Sequence, residues 1–272
     1  MAGDRWQLDA SGRVSPRVAI LGVGRIGRVV ARAIPDAVRV GRGVPLPETE
    51  VTWVCVAEDD LVAAWRSVRS RSGAILVQNG LLAPWVERHA RGVTTGVLYF
   101  AAPARDGLAT GSGTTRFFGP FAEHAAAALN GIGLSARVSP SAAEHAREAA
   151  FKLGWTCALG LLCGGTRTVG EVLRDDAHTL GELTAELAPV LAAAHGVEVD
   201  RDALLASVMA YSAQVADWRS SIKALSWRNG ALCAAAARAR LRTPLHRRLL
   251  QRAGIDVGAA SRGASALLYS PA

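Results

Sequence analysis

Arg17-Val-Ala-Ile-Leu-Gly-Val-Gly-Arg-Ile-Gly-Arg28 is the stretch whose reading decides the fold. Val18–Leu21 is a short, wholly apolar run of the kind that fills a buried parallel strand. Gly22, Gly24 and Gly27 follow at G-x-G-x-x-G spacing, and residues 26–34 have helical composition, with Val29, Val30 and Ala33 apolar. A glycine turn between strand and helix is the context in which that spacing carries meaning. Gly22 permits the tight turn, Gly24 lets a pyrophosphate approach the backbone, and Gly27 lets helix and strand pack closely. Backbone N–H groups at Arg25, Ile26 and Gly27, together with the positive helix end, favour an anion there. A bound dinucleotide is expected; the alternative is a structural glycine turn without a ligand.

Short apolar strands continue to alternate with helices as far as residue 138. Strands are expected at 37–40, 51–56, 74–77 and 96–101, and helices at 26–34, 61–68 and 82–89. Residues 108–119, rich in Gly and Thr, read as a hairpin whose second strand is Thr115-Arg-Phe-Phe-Gly119. A helix at 121–129 and a last strand at 135–138 complete the pattern. It argues for an α/β, Rossmann-type, doubly wound parallel sheet. Beyond Pro140 strand signals nearly vanish. Helices are expected at 142–163, 168–173, 180–195, 201–223, 231–240 and 244–252, with a loose tail at 258–272. The expected domains are 1–140, binding the dinucleotide, and 141–272, all helical and serving substrate and dimerisation.

Bulk properties narrow the function. The 272 residues are 50% hydrophobic and 20% charged, enough for a sizeable core. No uncharged apolar run approaches the ~18–20 residues that span a bilayer. The leader, Met1 to Pro16, is charged and lacks the apolar stretch of a secretory signal; it reads as loose or packed down, in a cytoplasmic protein. The cysteines at 55, 157, 163 and 233 form no C-x-x-C pair and read as buried thiols; no metal site is expected. The net charge of +8 is nearly all arginine. Its densest cluster, Arg238, Arg240, Arg242, Arg247, Arg248 and Arg252, lacks interleaved aromatics, so nucleic acid is not an expected partner. Small-residue faces such as 231–237 could pack against a second copy, and a homodimer is an expectation.

About 20 positions after the first glycine, where an NAD-type fold carries an acid, stands Arg42, with Arg39 nearby. A guanidinium there suits the 2′-phosphate of NADPH. The alternative is an exposed turn arginine.

Several pieces then fall into the order of one family. The glycine turn, Val40-Gly-Arg-Gly43, Leu76-Val-Gln-Asn-Gly80, Phe151-Lys-Leu153, Trp227-Arg-Asn-Gly230 and Thr243-Pro244 together resemble the ketopantoate reductases, over about residues 17–252. The resemblance implies a Rossmann domain, a helical domain, a cleft between them, and NADPH-dependent reduction of a 2-keto acid. It implies that Lys152 bonds the carbonyl oxygen and donates the proton, and that Asn79 lies near the nicotinamide ribose and the substrate. It places Thr156 and Ser212 among substrate-binding positions.

The residues agree in part. A buried cation facing a forming alkoxide stabilises it and can supply its proton. Glu148, four residues before Lys152, offers instead an ordinary helix ion pair. Departures from the pattern are plain. Thr156 and Gly160 replace asparagines, Ala224 replaces the substrate-binding glutamate, and Ala57 replaces a lysine. The stretch between Arg42 and Val51 is short, so a strand-helix portion is expected to be trimmed. The expected function is an NADPH-dependent reductase of a 2-keto acid, or a related carbonyl or imine, with an unusual substrate. The alternative is a non-catalytic nucleotide-binding relative with a regulatory or assembly role.

Overall fold

The computed structural model describes residues 6–8, 14–102, 106, 108–111 and 113–270. Residues 1–5 and 9–13 of the leader, and 271–272 of the tail, lie outside them. The strands are β1 (Trp6–Leu8), β2 (Val14–Pro16), β3 (Val18–Leu21), β4 (Val38–Val40), β5 (Val51–Val54), β6 (Ala74–Leu76), β7 (Thr94–Val97), β8 (Phe100–Ala101), β9 (Thr110–Gly111), β10 (Thr115–Phe118) and β11 (Ala136–Val138). Helices α1 (Arg25–Ala33), α2 (Leu61–Trp65), α3 (Ala83–His89) and α4 (Ala122–Asn130) intervene. Then come α5 (Ala142–Cys163), α6 (Val169–Asp175), α7 (Ala177–His195), α8 (Arg201–Gln214), α9 (Asn229–Ala239), α10 (Pro244–Arg252) and α11 (Val257–Tyr269). The chain divides into two compact units: residues 1–78 with 90–139, and 79–89 with 140–272.

The first unit holds a seven-stranded sheet in the order β11-β10-β7-β6-β5-β3-β4. Every neighbouring pair is parallel except β10 against β7. Alternate residues Ile20, Trp53, Ile75 and Phe117 share one apolar core with Val29 and Val30 of α1 and Ala125 and Leu129 of α4. This is the Rossmann-type sheet. It is trimmed as the short 43–50 stretch suggested: no helix lies between β4 and β5, and β4 is an edge strand. Because β4 and β5 flank β3 on opposite sides, the strand order reverses at β3, where such sheets place their ligands.

The Gly/Thr-rich hairpin does not form as expected. Thr110–Gly111 pairs with Phe100–Ala101, and Thr115–Phe118 enters the main sheet. Burial decides this. Phe117 has no exposed surface and meets Trp53 edge-on at 5.7 Å, while the Thr115 hydroxyl accepts from the Tyr99 N–H at 3.1 Å. The strand expected at 96–101 is accordingly split between β7 and β8. The leader, read as loose or packed down, pairs β1 with β2 antiparallel where it is described.

The second unit corrects two more expectations. The helix expected over 201–223 stops at Gln214, because the chain beyond it turns extended to serve α6. Carbonyls of Ala216, Trp218 and Ser220 accept from the N–H groups of Gly170, Val169 and Gly165 at 2.7, 2.8 and 2.8 Å. The tail expected to be loose is helical to Tyr269. Asp256 caps α11 through the Ala259 N–H at 3.0 Å, and Ala260, Ala264 and Leu268 line its buried side. That helix packs on α9, so Ala231, Ala234, Ala235 and Ala236 are buried by their own chain rather than offered to a partner. The four cysteines are free and buried, and among the described residues no helix is long and apolar enough to cross a membrane.

Three histidines of this unit are held neutral. Burial lowers His145, His195 and His246 to about 4 each, helped at His195 by His145 and at His246 by Arg247. Below pH ~6.5 the unfolded chain protonates these groups and the folded one does not. The contribution of these histidines is therefore complete above pH ~6.5 and is lost toward pH 4, by up to ~3 kcal/mol each. Urea melts at pH 7 and pH 4.5 check this; equal midpoints would contradict it.

Candidate functional site

In the first unit β3 delivers the chain to Gly22, which takes φ +104° and donates its N–H to the Val40 carbonyl at 2.9 Å. A Cβ there would stand 2.8 Å from the Cys55 carbonyl oxygen. At Gly27 a Cβ would overlap the Gly22 carbonyl oxygen, so this glycine lets α1 seat on the turn. Gly24 differs from both. Its φ of −71° suits any residue, and a Cβ would meet no heavy atom within 4 Å. Neither conformation nor packing asks for a glycine here, and the space beside it is open. Gly24 opens α1 with no side-chain cap and no acid in the first turn, leaving the positive end clear around Arg25, Ile26 and Gly27. These features fit a dinucleotide pyrophosphate.

Arg42 lies just beyond β4. Its side chain is 90% exposed and meets the Asp60 carboxylate at 3.3 Å. Exposed pairs of this kind contribute ~0–1 kcal/mol, so Asp60 holds the guanidinium only weakly. Gln78 ties two strand ends together, donating to the carbonyls of Val54 and Val56 at 2.8 and 3.1 Å.

In the second unit Asn79 begins a turn that docks on the Trp227-Arg228 segment. A Cβ on Gly80 would lie 2.8 Å from that of Trp227, and the Leu81 N–H donates to the Trp227 carbonyl at 2.6 Å. Two motifs far apart in the chain thus meet. Ala224, which the resemblance set against a glutamate, opens this segment in the left-handed region at φ 44°.

Lys152 sits midway along α5, 7% exposed. Its Nζ lies 3.9 Å from the centre of the Tyr211 ring and 4.6 Å from that of Trp155. The two rings meet at 4.8 Å and 68°, and the Trp155 indole N–H donates to the Ser212 hydroxyl at 2.9 Å. Thr156 donates its hydroxyl to the Lys152 carbonyl at 2.8 Å. Burial, and then the Arg228 charge, lower the amine to about 7, while Glu148 acts weakly in the opposite sense. At neutral pH such an amine can both hold and release a proton, which suits general acid work.

The predicted residues therefore fall into two groups. Gly22, Gly24, Arg25, Ile26, Gly27 and Arg42 belong to the first unit; Asn79, Lys152, Thr156 and Ser212 belong to the second. Ser212 has no exposed surface, and its contact is with Trp155. Sequence reasoning passed over Trp155, Tyr211 and Arg228. The signals were there: Trp155 is three residues from Lys152, Tyr211 adjoins Ser212, and Arg228 lies inside Trp227-Arg-Asn-Gly230.

No family model matches the chain, and no curated protein matches it by sequence. Solved structures do match. The PanE/ApbA family ketopantoate reductase of Ralstonia eutropha JMP134 is 16% identical at a TM-score of 0.68, over 90% of this chain and 99% of that one. The dimeric ketopantoate reductase of Staphylococcus aureus is 15% identical at 0.67, over 91% and 99%. D-mandelate dehydrogenase in complex with NADH is 14% identical at 0.70, over 90% and 99%. At these identities the likeness establishes the fold: a Rossmann-type sheet followed by a helical region.

Proposed function

We propose that this protein is an NADPH-dependent reductase of a 2-keto acid or a related carbonyl or imine. The observation that carries the reading is Lys152. A lysine buried against two aromatic rings, with its pKa drawn to about 7, is costly to the fold and useful to chemistry. The open glycine turn supports the cofactor, and the neighbours named above are enzymes of keto acids or of a hydroxy acid.

In this reading the backbone N–H groups after Gly24 hold the pyrophosphate and Arg42 the 2′-phosphate. When bound, the reduced nicotinamide supplies a hydride. Lys152 faces the carbonyl oxygen, stabilises the negative charge that grows there, and donates the proton. Trp155 and Tyr211 fix the amine by cation–π contact, worth ~0.5–2 kcal/mol. Ser212 acts through Trp155 by holding its indole, and Asn79 and Thr156 stand as substrate-side positions. Consumption of NADPH with a panel of 2-keto acids tests the reading. Cofactor binding without turnover of any carbonyl or imine would favour the non-catalytic alternative, to which Ala224 in place of the glutamate already lends weight.

Arg42 yields a separate expectation. A charge-assisted contact with the 2′-phosphate contributes ~1.5–3 kcal/mol, so NADPH should bind about tenfold to hundredfold more tightly than NADH. Tryptophan fluorescence titrations of both cofactors measure the ratio, and Arg42→Ala should bring it near unity. Equal affinities in the wild type would remove the assignment.

A further inference from the structure

The densest arginine cluster has no part in the reductase reading. The structure places its core around one cavity of ≈ 480 Å³, bounded by the end of α9 and the start of α10. Arg242, Arg247 and Arg248 line it together with Thr243 and Gln251, and Cys233 forms part of its wall. No lining residue is acidic and none is aromatic. No carboxylate pairs with any of the three guanidinia among the described residues. One carboxylate at the start of α10 is already committed: Glu186 accepts from the Leu245 and His246 N–H groups at 2.9 and 2.7 Å.

Three like charges around one concavity, without a counter-charge, repel one another unless an anion joins them. Guanidinium forks match phosphate oxygens in pairs, and a cavity of this size takes a small-molecule group. The wall is well supported. Buried His246 bonds Asn229 Oδ1 through Nε2 at 2.8 Å and faces the Cys233 sulfur through Nδ1 at 3.9 Å. Arg247 lies close enough for its charge to pull against the burial that raises Cys233, and to lower His246 further.

We propose that this cavity binds the di- or triphosphate group of a small molecule, through residues other than the glycine turn and Lys152. A nucleic-acid strand is the poorer fit, because the walls offer no ring for a base to stack on.

Calorimetric titration of the full chain with inorganic triphosphate, in phosphate-free buffer at 0.1 M salt, tests the site. The wild type should bind, and Arg247→Ala/Arg248→Ala should weaken binding at least ~10-fold, the scale of a lost charge-assisted contact. Both arginines are exposed, so the variant should melt like the wild type and titrate with NADPH unchanged. No binding by the wild type, or equal binding by the variant, would overturn the proposal. So would a 20-nucleotide DNA strand that binds through the same arginines more tightly than triphosphate.

Discussion

Lys152→Met is expected to slow carbonyl reduction at least ~10²-fold while raising the melting temperature at neutral pH. The first effect is the usual scale for losing one positioned acid or oxyanion partner. The second follows from burial. The folded amine titrates near 7 and an ordinary lysine near 10.5. Between those values the unfolded chain holds the extra proton, so the stability of the wild type climbs as pH rises from 7 to 10.5. Below pH 7 the whole penalty is present, on the order of 1.4 kcal/mol for each pH interval of one between the two values. Methionine has similar length and no charge to desolvate, so it should recover part of that penalty. Single-turnover oxidation of bound NADPH and thermal melts at pH 7 and pH 10 measure both. A variant that reacts at the wild-type rate and melts lower would make Lys152 a structural partner of Glu148.

The glycine turn is expected to separate folding from binding. Gly27→Ala puts a methyl group into the Gly22 carbonyl oxygen and should cost ~3 kcal/mol or more, because α1 must lift off the turn. Gly24→Val meets nothing within 4 Å and sits in an allowed conformation, so it should change stability by less than ~1 kcal/mol. Its side chain would instead stand where the pyrophosphate is to approach, and NADPH affinity should fall at least ~10-fold. Urea melts and fluorescence titrations report the two effects. A Gly24→Val protein that binds NADPH as the wild type does would mean that this turn holds no phosphate.

These predictions rest on parts of the chain with very different legibility. The sheet could be read because each strand is a short apolar run bounded by turn residues close in sequence. The trimming between β4 and β5 could be counted. The failures were tertiary. Thr115–Phe118 joins the main sheet because Phe117 finds Trp53, and residues 216–220 abandon the helix because α6 needs acceptors. The C-terminal helix looked loose because the middle of its buried face is alanine, Ala260 and Ala264, whose apolar signal is slight until α9 is set against it.

The site divides in the same way. Three glycines could each be given a role from spacing alone. The setting of Lys152 could not, since Tyr211 and Ser212 reach it from α8, far along the chain, and the tie between them is the Trp155 indole. Ser212 stands out by position, yet what it does is visible only in that hydrogen bond. Arg228, whose charge lowers the lysine, sits inside a recognisable motif that by itself assigns it no task.

On the proposed function, this chain moves a hydride from a nicotinamide to a carbonyl or imine carbon. The most direct measurement uses NADPH carrying deuterium at both C4 positions of the nicotinamide, with mass spectrometry of the reduced product from each member of a 2-keto acid and imine panel. The expected result is one deuterium on the former carbonyl or imine carbon of at least one product with the wild type. Under the same conditions Lys152→Met should yield at least ~10²-fold less of that product. Products without deuterium would contradict the hydride transfer, and equal yields from both proteins would contradict the role given to Lys152.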